Sequence, residues 1–227
     1  MEGLPPGLIR EKYKRFVQLN PEFEKLLLPD NIPFERFKVY ERWKPDTVEV
    51  LLIAESPPWK ESVYFYNEHS HGGLSESIFN HLGIRGESKS EKLREFRRRR
   101  LFLVDTIKCV YRKNARPSIP KKLIMFSAQE ILQQEIENLN PQTILCLGAT
   151  ALAGLKHTER FSNPLSGVSS VLQTCGKSVK IGEVRIIISV FPNDRNRPHE
   201  KAIRSAFAQI STQDSSERHH DASLELR

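Results

Sequence analysis

The sequence predicts an α/β fold with three layers, in which helices cover both faces of a central sheet of four parallel strands. Four apolar runs rich in leucine and β-branched residues predict buried strands at residues 48–53, 101–106, 143–148 and 184–190. Helical spacing of apolar residues at 74–82 and 127–139 separates the first three runs. Nearly continuous apolar strands that alternate with helices are typical of a parallel sheet buried on both faces.

The length of 227 residues suits one α/β domain with a full core. Residues 1–46 are rich in charge and proline, and we expect a helical extension packed on the domain, with one or two helices between residues 8 and 28. Residues 47–210 form the predicted domain. The polar stretch 211–227 is predicted to be a disordered tail.

The chain is basic, with 35 Lys and Arg against 28 Asp and Glu, a net charge of +7 and an isoelectric point near 9.4. Such an excess favours a polyanionic partner, because cations on one face release counterions from a phosphate backbone. The mean hydropathy is −0.47, and no apolar run approaches the ~20 residues of a membrane helix. We therefore expect a monomer without membrane contact, located in the cytoplasm, or in the nucleus of a eukaryote.

Three cysteines, at positions 109, 146 and 175, lie far apart in the chain. They form no Cys-x-x-Cys pair, so the sequence predicts neither a disulfide framework nor a metal site. Cys146 lies within an apolar run and is predicted to be part of the core.

The residues that follow each predicted strand are the best candidates for a functional site. In open parallel sheets, ligands bind outside the carboxyl ends of the strands. The relevant segments are 55–59, 105–112, 149–150 and 191–197. The arginine run 97–100 precedes the second strand, so we expect it at the opposite edge, first as a solvated helix end and second as a nucleic-acid contact.

Several of these segments, in order, resemble motifs of the uracil-DNA glycosylase superfamily, nearest to its bacterial and archaeal family 4 enzymes. Residues 52–58, LIAESPP, resemble the first motif, Gly-Glu-Ala-Pro-Gly after an apolar strand. Residues 104–109, VDTIKC, followed by 114–117, NARP, resemble Thr-Asn-Val-Val-Lys-Cys with its later Asn-Arg-x-Pro. Residues 147–151 match Leu-Gly-Ala-Thr-Ala, and 191–197, FPNDRNR, occupy the place of a second catalytic motif, usually His-Pro-Ser. The resemblance spans residues 48–207 and implies that family's fold, with DNA as the partner.

The sequence differs from the family pattern in three respects. Family 4 enzymes bind an iron–sulfur cluster through four cysteines, whereas only Cys109 matches one of them, so we expect no cluster and no other cofactor. The asparagine that reads uracil in the family is Asp105 here, and the second-motif histidine is Phe191.

The resemblance implies that Glu55 is the catalytic carboxylate. Cleavage of an N-glycosidic bond passes through a sugar with oxocarbenium character, which a carboxylate can stabilise, or for which it can orient water. Phe65, between Tyr64 and Tyr66, lies where the family places an aromatic residue that stacks on the flipped base. Asn67 either binds the base or caps a turn.

Asp105 and Phe191 bear on which base is recognised. An ionised aspartate only accepts hydrogen bonds, so it suits a base edge with donors, such as a guanine-like edge with N1–H and N2–H₂, hypoxanthine N1–H or an exocyclic amine. A protonated Asp105 would imitate asparagine, and a purely structural Asp105 would cap a loop. Phe191 cannot donate to the base, and Asn193, Arg195 or Asn196 are the candidate replacements.

Basic residues at the strand ends are the candidate phosphate contacts. They are Lys108, Arg112, Lys113 and Arg116 after the second strand, and Arg195 and Arg197 after the fourth. Either of these last two arginines can instead fill the gap left by a flipped base, or remain solvated.

Three functions remain open from the sequence. The first is a DNA glycosylase acting on uracil or another deaminated base. The second is the same fold without strong catalysis, which binds DNA or a nucleotide. The third is a different hydrolase, built on this sheet, that acts on a small nucleoside or nucleotide.

Overall fold

The computed structural model of the chain describes residues 5–70, 73–112 and 118–211. Its main sheet has five strands. The strands of the described residues are β1 (Leu27–Leu28), β2 (Val50–Ala54), β3 (Leu101–Asp105), β4 (Val110–Tyr111), β5 (Thr143–Leu147), β6 (Ser178–Ile181) and β7 (Val184–Ser189). The order across the main sheet is β3-β2-β5-β7-β6, and β1 pairs with β4 in a small antiparallel sheet.

Helices of one to four turns connect the strands. They are α1 (Pro6–Leu19), α2 (Pro33–Arg36), α3 (Val39–Arg42), α4 (Gly73–His81), α5 (Lys89–Arg98), α6 (Lys121–Ser127), α7 (Gln133–Leu139), α8 (Ala149–Lys156), α9 (Glu159–Ser162), α10 (Val171–Thr174) and α11 (Glu200–Ser211). A π-helical segment, Ala128–Leu132, joins α6 to α7, so residues 121–139 form one continuous helix. Short 3₁₀ turns lie at Pro21–Phe23, Glu61–Val63 and Asp194–His199.

The predicted three-layer α/β fold and its four parallel strands are confirmed, and the sheet contains one strand more. β2, β3, β5 and β7 run parallel in the predicted segments. The additional strand, β6, pairs antiparallel with β7 through a hairpin at Gly182, where φ is 59°. Its residues, SVKI, alternate between exposed and half-buried, which is the pattern of an edge strand with little core surface.

Burial of the central strands shows that both faces of the sheet are covered. All five residues of β2 and all five of β5 are buried. Because successive side chains of a strand point to opposite faces, complete burial requires a layer on each side. Among the described residues, no helix is long and apolar enough to cross a membrane.

The described part of the N-terminal segment packs tightly against the main sheet and its helices. Tyr13 and Phe16 of α1 contact Phe126 of α6, with ring centroids 5.5 and 4.4 Å apart. The Tyr13 hydroxyl accepts a hydrogen bond of 2.9 Å from the Lys108 amide, so α1 also braces the loop that follows β3. The predicted tail falls on residues that, apart from Ser211 at the end of α11, lie outside the described ones.

Candidate active site

A cleft of about 880 Å³ opens at the carboxyl ends of β2 and β3. Its walls come from the loop after β2 (residues 56–60), from residues 63–65, from Gly73 and Leu74, from Leu103 and Asp105 of β3, and from Tyr111, Arg112 and Phe191. Most of these side chains are apolar or aromatic, and few are charged. A concave, mostly apolar site with few polar groups is typical of small-molecule and nucleobase binding.

Glu55 follows β2 directly and precedes Ser56, the first lining residue of this cleft, but it does not itself line the cleft. Its carboxylate accepts a hydrogen bond from the hydroxyl of Thr150, with 2.7 Å between Oε2 and Oγ1. The Glu55 carbonyl accepts a hydrogen bond of 2.9 Å from the Ile107 amide, so the pairing of β2 with the chain after β3 continues past the strand ends. The side chain is half-buried and held in one place.

Two glycines allow α8 to present Thr150 to Glu55. Gly148, with φ of 93°, turns the chain from β5 into α8, a conformation that other residues rarely adopt. Gly154 faces Thr106, and a Cβ on it would lie only 2.6 Å from the Thr106 Cγ2 atom. The glycine of the Leu-Gly-Ala-Thr-Ala segment therefore supplies the turn, Gly154 supplies the close packing on Thr106, and Thr150 is a residue that sequence reasoning missed.

Asp105 ends β3 and lines the cleft. In the register of the sheet, Asp105 is the partner of Ala54, the residue before Glu55, so the two carboxylates leave neighbouring strand ends. Burial, with a smaller contribution from the charge of Asp105, raises the pKa of Tyr64 well above its ordinary value. Tyr64 therefore stays protonated beside Asp105 in the cleft wall.

Phe65 lines the cleft and is also part of the core. Its ring lies 4.8, 5.5 and 5.3 Å from the rings of Tyr66, Phe79 and Phe96. The neighbouring Tyr66 hydroxyl bonds both the amide and the carbonyl of Leu103, which ties this loop to the edge strand β3. Phe65 is therefore held rigidly and can offer a base only the part of its ring that borders the cleft.

The side chain of Asn67 braces its own loop. Its amide nitrogen donates to the Glu61 carbonyl at 2.9 Å, and its oxygen accepts from the His69 amide at 3.0 Å. Asn67 does not border the cleft among the described residues. Of the two roles left open for it, this geometry matches the turn cap.

The expectation that Lys108 contacts phosphate is wrong. Its side chain is 2% exposed, and the ammonium forms an ion pair with Glu135 of α7, which is equally buried and also accepts from the Tyr40 hydroxyl. Burying two charges is tolerable only when each is paired. Lys108 therefore holds the loop after β3 against the helix layer.

Arg112, a predicted phosphate contact, is exposed and lines the cleft. Its guanidinium carbon is 5.4 Å from the centre of the Trp59 ring, and Trp59 borders the same cleft. Sequence reasoning did not single out Trp59, although an indole directly after two prolines at a strand end was a usable signal. Arg116 lies outside the described residues.

Among the described side chains that follow β7, Phe191 alone borders the cleft. The Phe191 carbonyl accepts hydrogen bonds from the Asn196 side chain at 2.7 Å and from the Asn193 amide at 3.0 Å. Asn193 is exposed and caps the helical turn at 194–199, while Arg195 and Arg197 are exposed on that turn. None of the three candidate replacements for the missing histidine, Asn193, Arg195 or Asn196, borders the cleft.

The family model that describes the uracil DNA glycosylase superfamily matches residues 42–213. The chain belongs to this superfamily. No curated protein matches the chain in a sequence comparison. The matched range includes the cleft, Glu55, Asp105 and the α8 segment, while most of the described N-terminal segment precedes it.

Some members of the uracil-DNA glycosylase superfamily hold an iron–sulfur cluster, and the cysteines of this chain do not fit one. The chain has three cysteines and a cluster needs four ligands of this kind. Burial raises the pKa of the thiols of Cys109 and Cys146 far above the ordinary value, so neither readily becomes a thiolate. Within the described ranges, no three His, Cys, Asp or Glu side chains converge on a metal position.

Proposed function

We propose that the protein is a DNA glycosylase, which hydrolyses the N-glycosidic bond of uracil or of another deaminated base flipped out of DNA, as in base excision repair. The observation that carries the proposal is the Glu55 carboxylate, which Thr150 fixes directly after β2, one residue before Ser56 of the apolar cleft that Asp105 also lines. Membership of a superfamily that acts on DNA supports it. We expect a monomer that acts in the cytoplasm, or in the nucleus of a eukaryote.

In this mechanism the flipped base enters the cleft against Phe65 and Phe191, and Asp105 accepts hydrogen bonds from its edge. The sugar stays at the rim, beside Ser56 and Glu55. As the bond from C1′ to the base nitrogen breaks, its electron pair leaves with the base, and the Glu55 carboxylate stabilises the positive charge on the sugar. Water then attacks C1′ and gives its proton to Glu55, which releases it to solvent, and the departed base anion takes up a proton from solvent.

Exposed cations around the cleft bind the phosphate backbone of the DNA. Arg112 and Lys60 lie at its rim, and Arg195 and Arg197 lie on the turn that follows Phe191. Each contact with a phosphate releases counterions, so binding should weaken as the salt concentration rises. Lys108 is not among these contacts because it is buried.

The test is product formation from oligonucleotides that carry a single uracil, hypoxanthine or xanthine, read as strand breakage in hot alkali at the abasic site. We expect product from at least one of the three. Failure to form product from any of them, with folded protein in excess, would contradict the proposal.

A second function, binding of DNA or a nucleotide with little or no catalysis, is favoured by one observation. The apolar ring of Phe191 lines the cleft at the position where the family motif has a histidine that donates a hydrogen bond to the base. The loss of one such donor lowers the rate on the order of 10²–10³-fold. That function predicts salt-dependent DNA binding that Glu55→Ala leaves unchanged, with no abasic product.

A further inference from the structure

The two tryptophans of the chain lie in opposite environments. Trp43 is buried, at 4% exposed, whereas Trp59 is 55% exposed and lines the cleft. Trp59 follows Pro57 and Pro58, which restrict the backbone and hold the indole in place at the rim. A large aromatic ring that is exposed to solvent beside an apolar cleft is expected to contact a ligand.

Cations from separate segments accompany the indole. Arg112, which follows β4, places its guanidinium carbon 5.4 Å from the centre of the Trp59 ring, and its amide is anchored to the Leu26 carbonyl at 2.8 Å. Lys60, the next residue after Trp59, is also exposed at the rim. An aromatic ring for the base and cations for the backbone are the combination that binds single-stranded nucleic acid.

We propose that Trp59 and Arg112 form a stacking platform for a nucleobase next to the flipped one, and that the protein binds unpaired DNA in preference to duplex. The inference rests on the proposed function for the identity of the polymer. In a duplex the neighbouring base is already stacked and paired, so it must be displaced before it can reach the indole. In a single strand its face is free, and each base stacked on an aromatic ring strengthens binding about 5- to 150-fold.

Tryptophan fluorescence gives a direct readout of this contact, because only one indole is exposed. The full-length protein is titrated with a single-stranded oligonucleotide that contains no damaged base, and with the same sequence as a duplex. We expect quenching by the single strand in the wild type and in Trp43→Phe, which leaves Trp59 as the sole tryptophan. Trp59→Phe should bind the single strand without this quenching.

Affinity measured by anisotropy of a labelled oligonucleotide completes the test. Trp59→Ala should weaken single-strand binding by about 5- to 150-fold and change duplex binding by less than about twofold. Trp59→Phe should retain part of the affinity. Equal losses of affinity for single strand and duplex would overturn the proposal, and would indicate instead that Trp59 inserts into duplex DNA. An absence of quenching by the single strand would also overturn the proposal.

Failure of this inference and failure of the proposed function give different results. Abasic product formed at equal rates from single strand and duplex, with Trp59→Ala affecting neither, would overturn the platform and leave the glycosylase standing. Quenching and single-strand preference without product from any damaged base would support the platform and overturn the glycosylase.

Discussion

The hydroxyl of Thr150, in the first turn of α8, lies 2.7 Å from Oε2 of Glu55, directly after β2. This contact joins two segments that are 95 residues apart in sequence and gives the carboxylate a fixed position beside the residues that begin the cleft wall. The N-terminus of a helix also favours a negative charge. The Glu55 carboxylate is therefore held in one orientation by a hydrogen bond from the first turn of α8.

Thr150→Val should lower the excision rate about 10- to 100-fold, because it removes a hydrogen bond to a charged group that orients the carboxylate. The affinity for DNA should stay unchanged, since Thr150 does not border the cleft. Single-turnover rates and binding curves separate the two effects. Thr150→Ser is the matched control, because it keeps the hydroxyl, and a slow Thr150→Ser with an intact fold would contradict this role.

Asp105→Asn should shift the preference of the site toward uracil. An asparagine can donate to one atom of the base and accept from the next, whereas an ionised aspartate only accepts. We expect the ratio of kcat/KM for uracil to that for a guanine-like base, whose edge presents N1–H and N2–H₂ donors, to rise by at least about tenfold. An unchanged ratio would mean that Asp105 serves the loop after β3 and does not read the base.

Phe191→His should increase excision of uracil, by up to about 10²–10³-fold if the imidazole reaches the base. The backbone at this position is already held by the Asn196 side chain and by the Asn193 amide, so the substitution alters mainly the cleft wall. Phe191→Leu, which adds no donor, is the control. Equal rates for the two variants would show that the missing donor is supplied elsewhere.

Glu95→Gln should reduce the loss of unfolding free energy that occurs as the pH falls from 7 to 3. Hydrogen bonds from Arg98 and Arg99, together with their charges, lower the pKa of Glu95 from its ordinary value of 4.5 to about 2. Because the carboxylate is favoured in the folded state, its contribution of about 1–3 kcal/mol is present above pH 4.5 and is lost as the pH falls toward 2. Urea unfolding at pH 7 and pH 3 measures it, with exposed Glu11→Gln as the control. A parallel loss in wild type and Glu95→Gln would contradict this assignment.

The sheet could be predicted from sequence because its strands are buried on both faces. Each of the four parallel strands is an apolar run with little competing signal, as in 143–147, TILCL. Strand β6 escaped prediction for the opposite reason. At the edge of the sheet, polar and apolar residues alternate along its sequence, SVKI. Its pairing with β7 depends on a hairpin turn at Gly182.

The site was predictable in position but only partly in detail. The motif around Glu55 and the end of β3 at Asp105 lie beside or in the cleft, because strand ends in a parallel sheet meet at one edge. Sequence cannot tell which way a side chain turns beyond the strand. Lys108 turns inward to Glu135, while Arg112, four residues later, turns outward to Trp59.

The most direct test is the single-turnover excision rate of Glu55→Gln on the damaged base that the wild type removes fastest. Glu49→Gln, at the other end of the same strand and in a partly exposed ion pair with Arg100, is the control. Removing the Glu55 charge should slow excision by about 10²–10⁴-fold while DNA binding and Glu49→Gln remain near wild type. A Glu55→Gln variant that excises the base at the wild-type rate would contradict the role of this carboxylate in the chemistry.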